Sequence, residues 1–337
     1  MPVFGALLFC AAPNPAAGTA LAAESPPPSL GLPVACRLGQ TCWLVNHVDH
    51  ETGPGAKDYA CGPHTYNGHT GVDIAIRDYS VMDDGVPVVA AAAGTVVRIR
   101  DGMLDGDAGL VGHAAVTGRG CGNSVAIDHG AGWETHYCHL RRNSLVVRKG
   151  QQVGKGDKLG LVGSSGLAEF PHIHLGVRLK GKPVDPFVGL DRQAACGPGL
   201  HPLWEARALR DLNDGGPTSL YDAGFAPVEV NAIALRRGFY REPTIDRHAQ
   251  ALVFWADAFW VHAGDRLHLK LTAPDGRVLA EKSETLTKTQ ARYMKFIGKR
   301  RTVDFKPGTY KGEAVLEREA PGGKRQVFRQ DRTVTVE

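Results

Sequence analysis

Several strong signals are missing from these 337 residues. No H-E-x-x-H string occurs, which removes the helical zinc protease whose base is a glutamate. The lack of a C-x-x-C pair leaves a cysteine-built zinc site without support. Apart from the start of the chain, no stretch approaches the 18 apolar residues of a spanning helix. Long charge blocks are also missing, and GKRR at 298–301 is too short to argue for nucleic-acid binding. The net charge of +4 divides into +5 over residues 201–337 and −1 over residues 1–200. Such a mild excess is more often a solvated face than an anion-binding one.

Histidine is plentiful, with fourteen along the chain, and two short clusters stand out. HTGVD holds His69 and Asp73; PHIH holds His172 and His174. A catalytic zinc takes three protein ligands, imidazole nitrogen or carboxylate oxygen, and keeps a fourth position for water. His69, Asp73 and one histidine of PHIH meet that count. On a strand His172 and His174 would share a face, roughly 6–7 Å apart between Cα atoms. Fully extended, HTGVD would hold its two donors about 13 Å apart, so the segment should bend, and Gly71 permits it. A lone histidine is usually a surface or satisfied core residue, and an H-x-H pair alone is weak. The surrounding text decides.

From about residue 68 to 187 the chain resembles the lysostaphin-type zinc endopeptidases, which cut peptide cross-links in bacterial cell walls. That family's pattern is His-x-x-x-Asp, then Tyr-x-His-Leu, then Pro-His-x-His on a strand. HTGVD, YCHL and PHIH occur here in that order. The resemblance implies that His69, Asp73 and His174 bind one zinc ion, with His139 and His172 as an unliganded catalytic pair. It also implies a zinc-activated water that hydrolyses peptide bonds in the peptide stems of peptidoglycan, at cross-links. Gram-negative exported members are the similar subgroup. The rival is an inactive scaffold or activator of other wall hydrolases, but such proteins have lost ligands and all five positions are filled here. A lipoyl-type carrier shares the turns of VRKGQQVGKGDKLG and lacks any need for a histidine cluster.

Weaker candidates surround these. Tyr66, three residues before His69, is a substrate-binding candidate, and simple packing accounts for it equally well. Asn123 is another, with a turn role as the stronger account. NHVDH at 46–50 offers donors for a second metal or a latency contact, against a plain loop or strand role. Asp185 in VDPF is expected to end a strand.

The expected fold class is mainly β. β-branched residues cut by Gly94, Gly150, Gly154, Gly156 and Gly160 suit tight hairpins. Residues 124–140 read as two strands around a turn at 129–132. An antiparallel β-sandwich or barrel follows for the zinc peptidase domain, assigned to 34–197 with its motif core at 68–187. Residues 198–228 are expected to be linker or short helix. A small immunoglobulin-like β-sandwich is expected over 229–337, with strands at 251–261, 266–271, 277–283, 301–305, 309–318 and 326–336. It could contact wall or another protein, or only stabilise.

The first residues, with an apolar run and then A-L-A-A, suit an export leader cleaved near Ala22 or Ala23, although a basic n-region is missing. A Pro-rich linker follows, so residues 1–33 are set apart. Cys10 falls in the leader, and six cysteines remain, for which fifteen pairings exist. Cys36 with Cys42 is the most local choice. Cys121 with Cys138 would brace the strand end beside His139, leaving Cys61 with Cys196. Disulfides imply an oxidising compartment, the periplasm being favoured and secretion the alternative.

Overall fold

Alternation of apolar and polar residues in stretches such as WETHYC and HIHLGV sets one face of those strands inward. The computed structural model describes residues 1, 26–108, 117–191, 195–320 and 323–337, so the expected leader cleavage lies outside the described residues. The first strands are β1 (Cys42–Asn46), β2 (Val72–Ile76), β3 (Pro87–Val89), β4 (Gly94–Arg100), β5 (Asn123–Gly130) and β6 (Trp133–Leu140). They continue as β7 (Gln152–Val153), β8 (Lys158–Leu161), β9 (His172–Leu179) and β10 (Lys182–Pro183). A short helix, α1 (Tyr79–Asp84), follows β2, its first turn capped by Asp78, which accepts from Val81 N–H at 2.9 Å.

The main sheet runs β1-β2-β9-β6-β5-β4-β7, with β10 on β9, and β3 pairs β8 separately. Ile74, Ile127, Tyr137, Ile173 and Leu175 pack into one buried core. Each such side chain contributes about 1.5–3 kcal/mol on burial. Because side chains alternate, that inward face drives Asp73, His136, His172 and His174 to the opposite one. The β5–β6 hairpin turns where expected, with Gly130, Ala131 and Gly132 all at positive φ. Disulfides join Cys36–Cys42, Cys61–Cys196 and Cys121–Cys138.

The C-terminal part holds α2 (Ala206–Gly215), β11 (Ser219–Ala226), α3 (Ala232–Arg236), β12 (Thr244–Ile245), β13 (Ala251–Val261) and β14 (Arg266–Thr272). It ends with β15 (Val278–Thr285), β16 (Gln290–Arg300), β17 (Gly308–Ala320) and β18 (Lys324–Val336). Two sheets, β11-β13-β16 and β12-β18-β17-β14-β15, enclose a second core around Phe254, Leu269, Leu271 and Leu316.

Two expectations change. The strand expected at 301–305 is instead β16, immediately before it. Tyr293 and Ile297 of β16 pack on the sandwich core while Met294 and Phe296 join another cluster, so both faces are covered and alternation is lost. Residues 198–228 hold the expected short helix, α2, but they are packed into the fold and not a tether. Leu203, Trp204, Ala208 and Leu212 complete the first core, and β11 is a strand of the sandwich. Even within the Pro-rich stretch Leu30 is fully buried, its N–H donating to Leu203 O at 2.7 Å.

The sandwich docks on the face of the main sheet that carries the histidines. Trp43, Val45 and Ala75 are buried under Tyr221, Phe259 and Trp260. Trp260 Nε1–H donates to Val45 O at 2.5 Å, and Arg241 bridges Asp78 and Asp222.

Candidate metal centre and cleft

Register brings the two motif clusters together: Asp73 on β2 pairs directly with His174 on β9, which also pairs with Cys138 on β6. His69 lies in the bend before β2, with the Tyr66 ring tilted against it, centroids 4.5 Å apart. HTGVD therefore bends as expected. His69 Nε2, His174 Nδ1 and Asp73 Oδ1 form a triangle with sides of 3.1, 3.0 and 2.9 Å.

Second contacts fix what these atoms present. His69 Nδ1–H donates to His47 O at 2.6 Å, so a neutral ring turns its Nε2 lone pair toward a carboxylate oxygen. Electron-pair donors thus converge on one point, a set that a cation satisfies. At metal–ligand lengths of about 2.0–2.1 Å a tetrahedral ion would want donors roughly 3.3 Å apart, and the observed triangle is close to that. Asn46 Nδ2 donates to the other Asp73 oxygen at 2.9 Å. Burial opposes charge on Asp73, yet the surrounding imidazoles, His69 first, outweigh it and hold the carboxyl well below its usual range. Burial likewise pulls His69 down, but the Asp73 charge, the hydrogen bond to Asp73 and the His47 carbonyl together more than reverse it.

His139 and His172 stand beside this triangle, their rings 4.6 Å apart. His172 Nδ1–H donates to Phe170 O at 2.8 Å and His139 Nδ1–H to Ser165 O at 2.7 Å. Each neutral ring therefore keeps Nε2 free as an acceptor, that of His172 lying 3.8 Å from Asp73 Oδ1. Burial lowers both pKa values, that of His139 strongly and with help from His172 and His174. His139 has a φ of 63°, a strained setting for a residue with a side chain. The Cys121–Cys138 bridge and the His139 N–H to Cys121 O bond of 2.9 Å hold it there.

A cleft of about 360 Å³ opens over His69, His139 and His174, lined also by Tyr66, His136 and Leu167 among others. Tyr66 is half exposed in its wall. Asn123 is not: it is fully buried, its amide donating to Met103 O and Leu140 O and accepting from Met103 N–H. The expected substrate contact is thus replaced by a bracing one. Asp185 is buried too and meets His50 at 2.7 Å.

Sequence reasoning missed three supports. Asn46 and His47 belong to NHVDH, for which a plain loop or strand role stood against a second metal or a latency contact; they orient the ligands of the first site. Ser165 acts through its backbone carbonyl, which leaves no trace in side-chain chemistry.

Residues 67–186 match the family described as Peptidase family M23. An "Uncharacterized metalloprotease" of Haemophilus influenzae is 31% identical over 118 residues, 35% of this chain and 20% of that protein. "Peptidoglycan DD-endopeptidase ShyA" of Vibrio cholerae is 32% identical over 117 residues, again 35% of this chain and 22% of the relative. "DD-carboxypeptidase/endopeptidase Mpg" of Neisseria meningitidis is 35% identical over 123 residues, 36% of this chain and 23% of the relative. The chain thus spans about a fifth of the length of these relatives. Within this longer chain, residues 67–186 are a lysostaphin-type, peptidase family M23 domain.

Proposed function

We propose that the chain is an exported zinc endopeptidase that hydrolyses peptide bonds of peptidoglycan, working in the periplasm. One observation carries this: three electron-pair donors within 3.1 Å of one another, beside two neutral imidazoles whose Nδ1–H groups are already engaged. His69, Asp73 and His174 would hold the zinc. When bound, the metal supplies Lewis acidity and brings the pKa of water to near 7.

The chain's own residues do the rest. Nε2 of the His139 and His172 pair, kept neutral by burial, accepts the proton of an attacking water. Once protonated, an imidazole donates toward the carbonyl oxygen as charge develops, and returns the proton to the departing amine. Throughout, the carbonyls of Phe170 and Ser165 keep the rings from turning. Tyr66 offers a half-exposed ring to the substrate beside His69. Peptidoglycan as substrate is supported by the named activity of the Vibrio relative and by the M23 match. Export is supported by the three disulfides.

The test is mass spectrometry of purified cell wall after digestion by the full-length protein, with and without chelator. Release of stem peptides that chelation stops is expected. Protein that leaves the wall intact with zinc supplied, or hydrolysis that chelation does not stop, would overturn the proposal.

A further inference from the structure

Phe170 meets His172 on one side and the C-terminal sandwich on the other. Its carbonyl accepts from His172 Nδ1–H at 2.8 Å and its ring lies 4.8 Å from the His172 imidazole. Across the interface, the Arg292 guanidinium sits 5.0 Å from the centroid of the Phe170 ring, and Phe259 is at 5.8 Å. Arg292 is itself held. It donates to the Tyr221 hydroxyl at 2.5 Å and to Asp257 at 3.3 Å, and lies 5.1 Å from the Phe259 ring. Tyr221 and Phe259 stack at 4.2 Å, so the platform beneath the cation is rigid.

Joining two units does not need this arrangement, because Trp43, Val45 and Ala75 against Tyr221, Phe259 and Trp260 already bury apolar area. A buried cation is costly unless it is well paired, and over an aromatic face its attraction depends on the orientation of that ring. Arg292 therefore contributes direction: it fixes the plane of Phe170, whose main chain and ring both fix His172.

We infer that Arg292 is a positioning residue for His172, acting across the interface through Phe170. The inference rests on the hydrolase reading for its kinetics, while the geometry is tested separately. Five variants of the full-length protein serve: Phe170→Ala, Phe170→Tyr, Arg292→Lys, His172→Ala and the Phe170→Ala/His172→Ala double, each checked for zinc content and thermal unfolding. Phe170→Ala should lower kcat about tenfold or more, with KM within about twofold and the zinc retained. Phe170→Tyr, which keeps the ring, should restore most of the rate, and Arg292→Lys should fall between. In the His172→Ala background Phe170→Ala should cause no further loss, the non-additivity of residues acting as one unit. Histidine-labelled NMR of the same proteins should show the His172 ring protons shifting in Phe170→Ala while those of His69 stay. Unmoved His172 signals, or an equal loss in the His172→Ala background, would overturn the inference. A wild type that binds zinc and spares the wall would sink the hydrolase reading instead, and the ring-proton measurement would still decide the positioning.

Discussion

A Cβ placed on Gly71 would lie 2.5 Å from Nε2 of His174. The bend in HTGVD therefore needs glycine for close approach: the imidazole occupies the space of the missing side chain.

Gly71→Ala should push His174 out of the donor triangle. Zinc affinity is expected to fall about 10- to 100-fold, the usual cost of disturbing a ligand's support, as read by competition with a chelator. An affinity equal to the parent's would place His174 elsewhere.

Metal binding and turnover should separate between two histidines. His174→Ala is expected to lose zinc and wall hydrolysis together. His139→Ala should retain stoichiometric zinc, since its nearest engaged partner is Ser165 O, and lose turnover. Normal hydrolysis by the second variant would remove His139 from the mechanism.

Cys121 and Cys138 close a loop with a sequence separation of 17 beside the strained His139. Replacing both with serine should cost about 3 kcal/mol in urea denaturation and reduce turnover further than stability alone accounts for. An unchanged urea midpoint would refute the bracing role.

Acid should weaken the fold in a defined window. Burial pushes His47 down to about 4; its ring is packed edge-on between Tyr59 and Phe187, with Nδ1 unpartnered. His262, which faces His64 across the interface at 2.9 Å, is lowered to about 4 by burial, then by Arg318 and His64. Between pH 6.5 and 4 the unfolded chain binds protons that these native rings refuse. The share of these two rings should be complete above about pH 6.5, fall as the pH drops toward 4, and be spent below. The His47 share alone is about 3 kcal/mol. Urea midpoints that stay flat from pH 7 to 4.5 would contradict this.

The peptidase half was legible because its signals are local. His69 and Asp73 lie in one five-residue string, His172 and His174 in another, and glycine turns mark the strand ends between. Asn46, His47 and Ser165 were not legible in their roles, since pairing across the sheet and a backbone carbonyl decide them. The prolines and glycines of 198–228 point to linker or short helix, and the helix is there; that Trp204 and Leu212 finish a core begun at Leu30 is a long-range fact that local composition does not carry. β16 escaped because both of its faces are covered, which erases the alternation that betrays an ordinary strand.

The sandwich roofs Trp43, Val45 and Ala75 on the same sheet face that bears Asp73 and His174. The histidine groove is consequently a blind alley at its β1 end and open toward β6, where His136 and Arg178 line it. Anything laid across this face meets the aromatic roof at the β1 end, so the way to His69 and His174 is from the flank lined by His136 and Arg178.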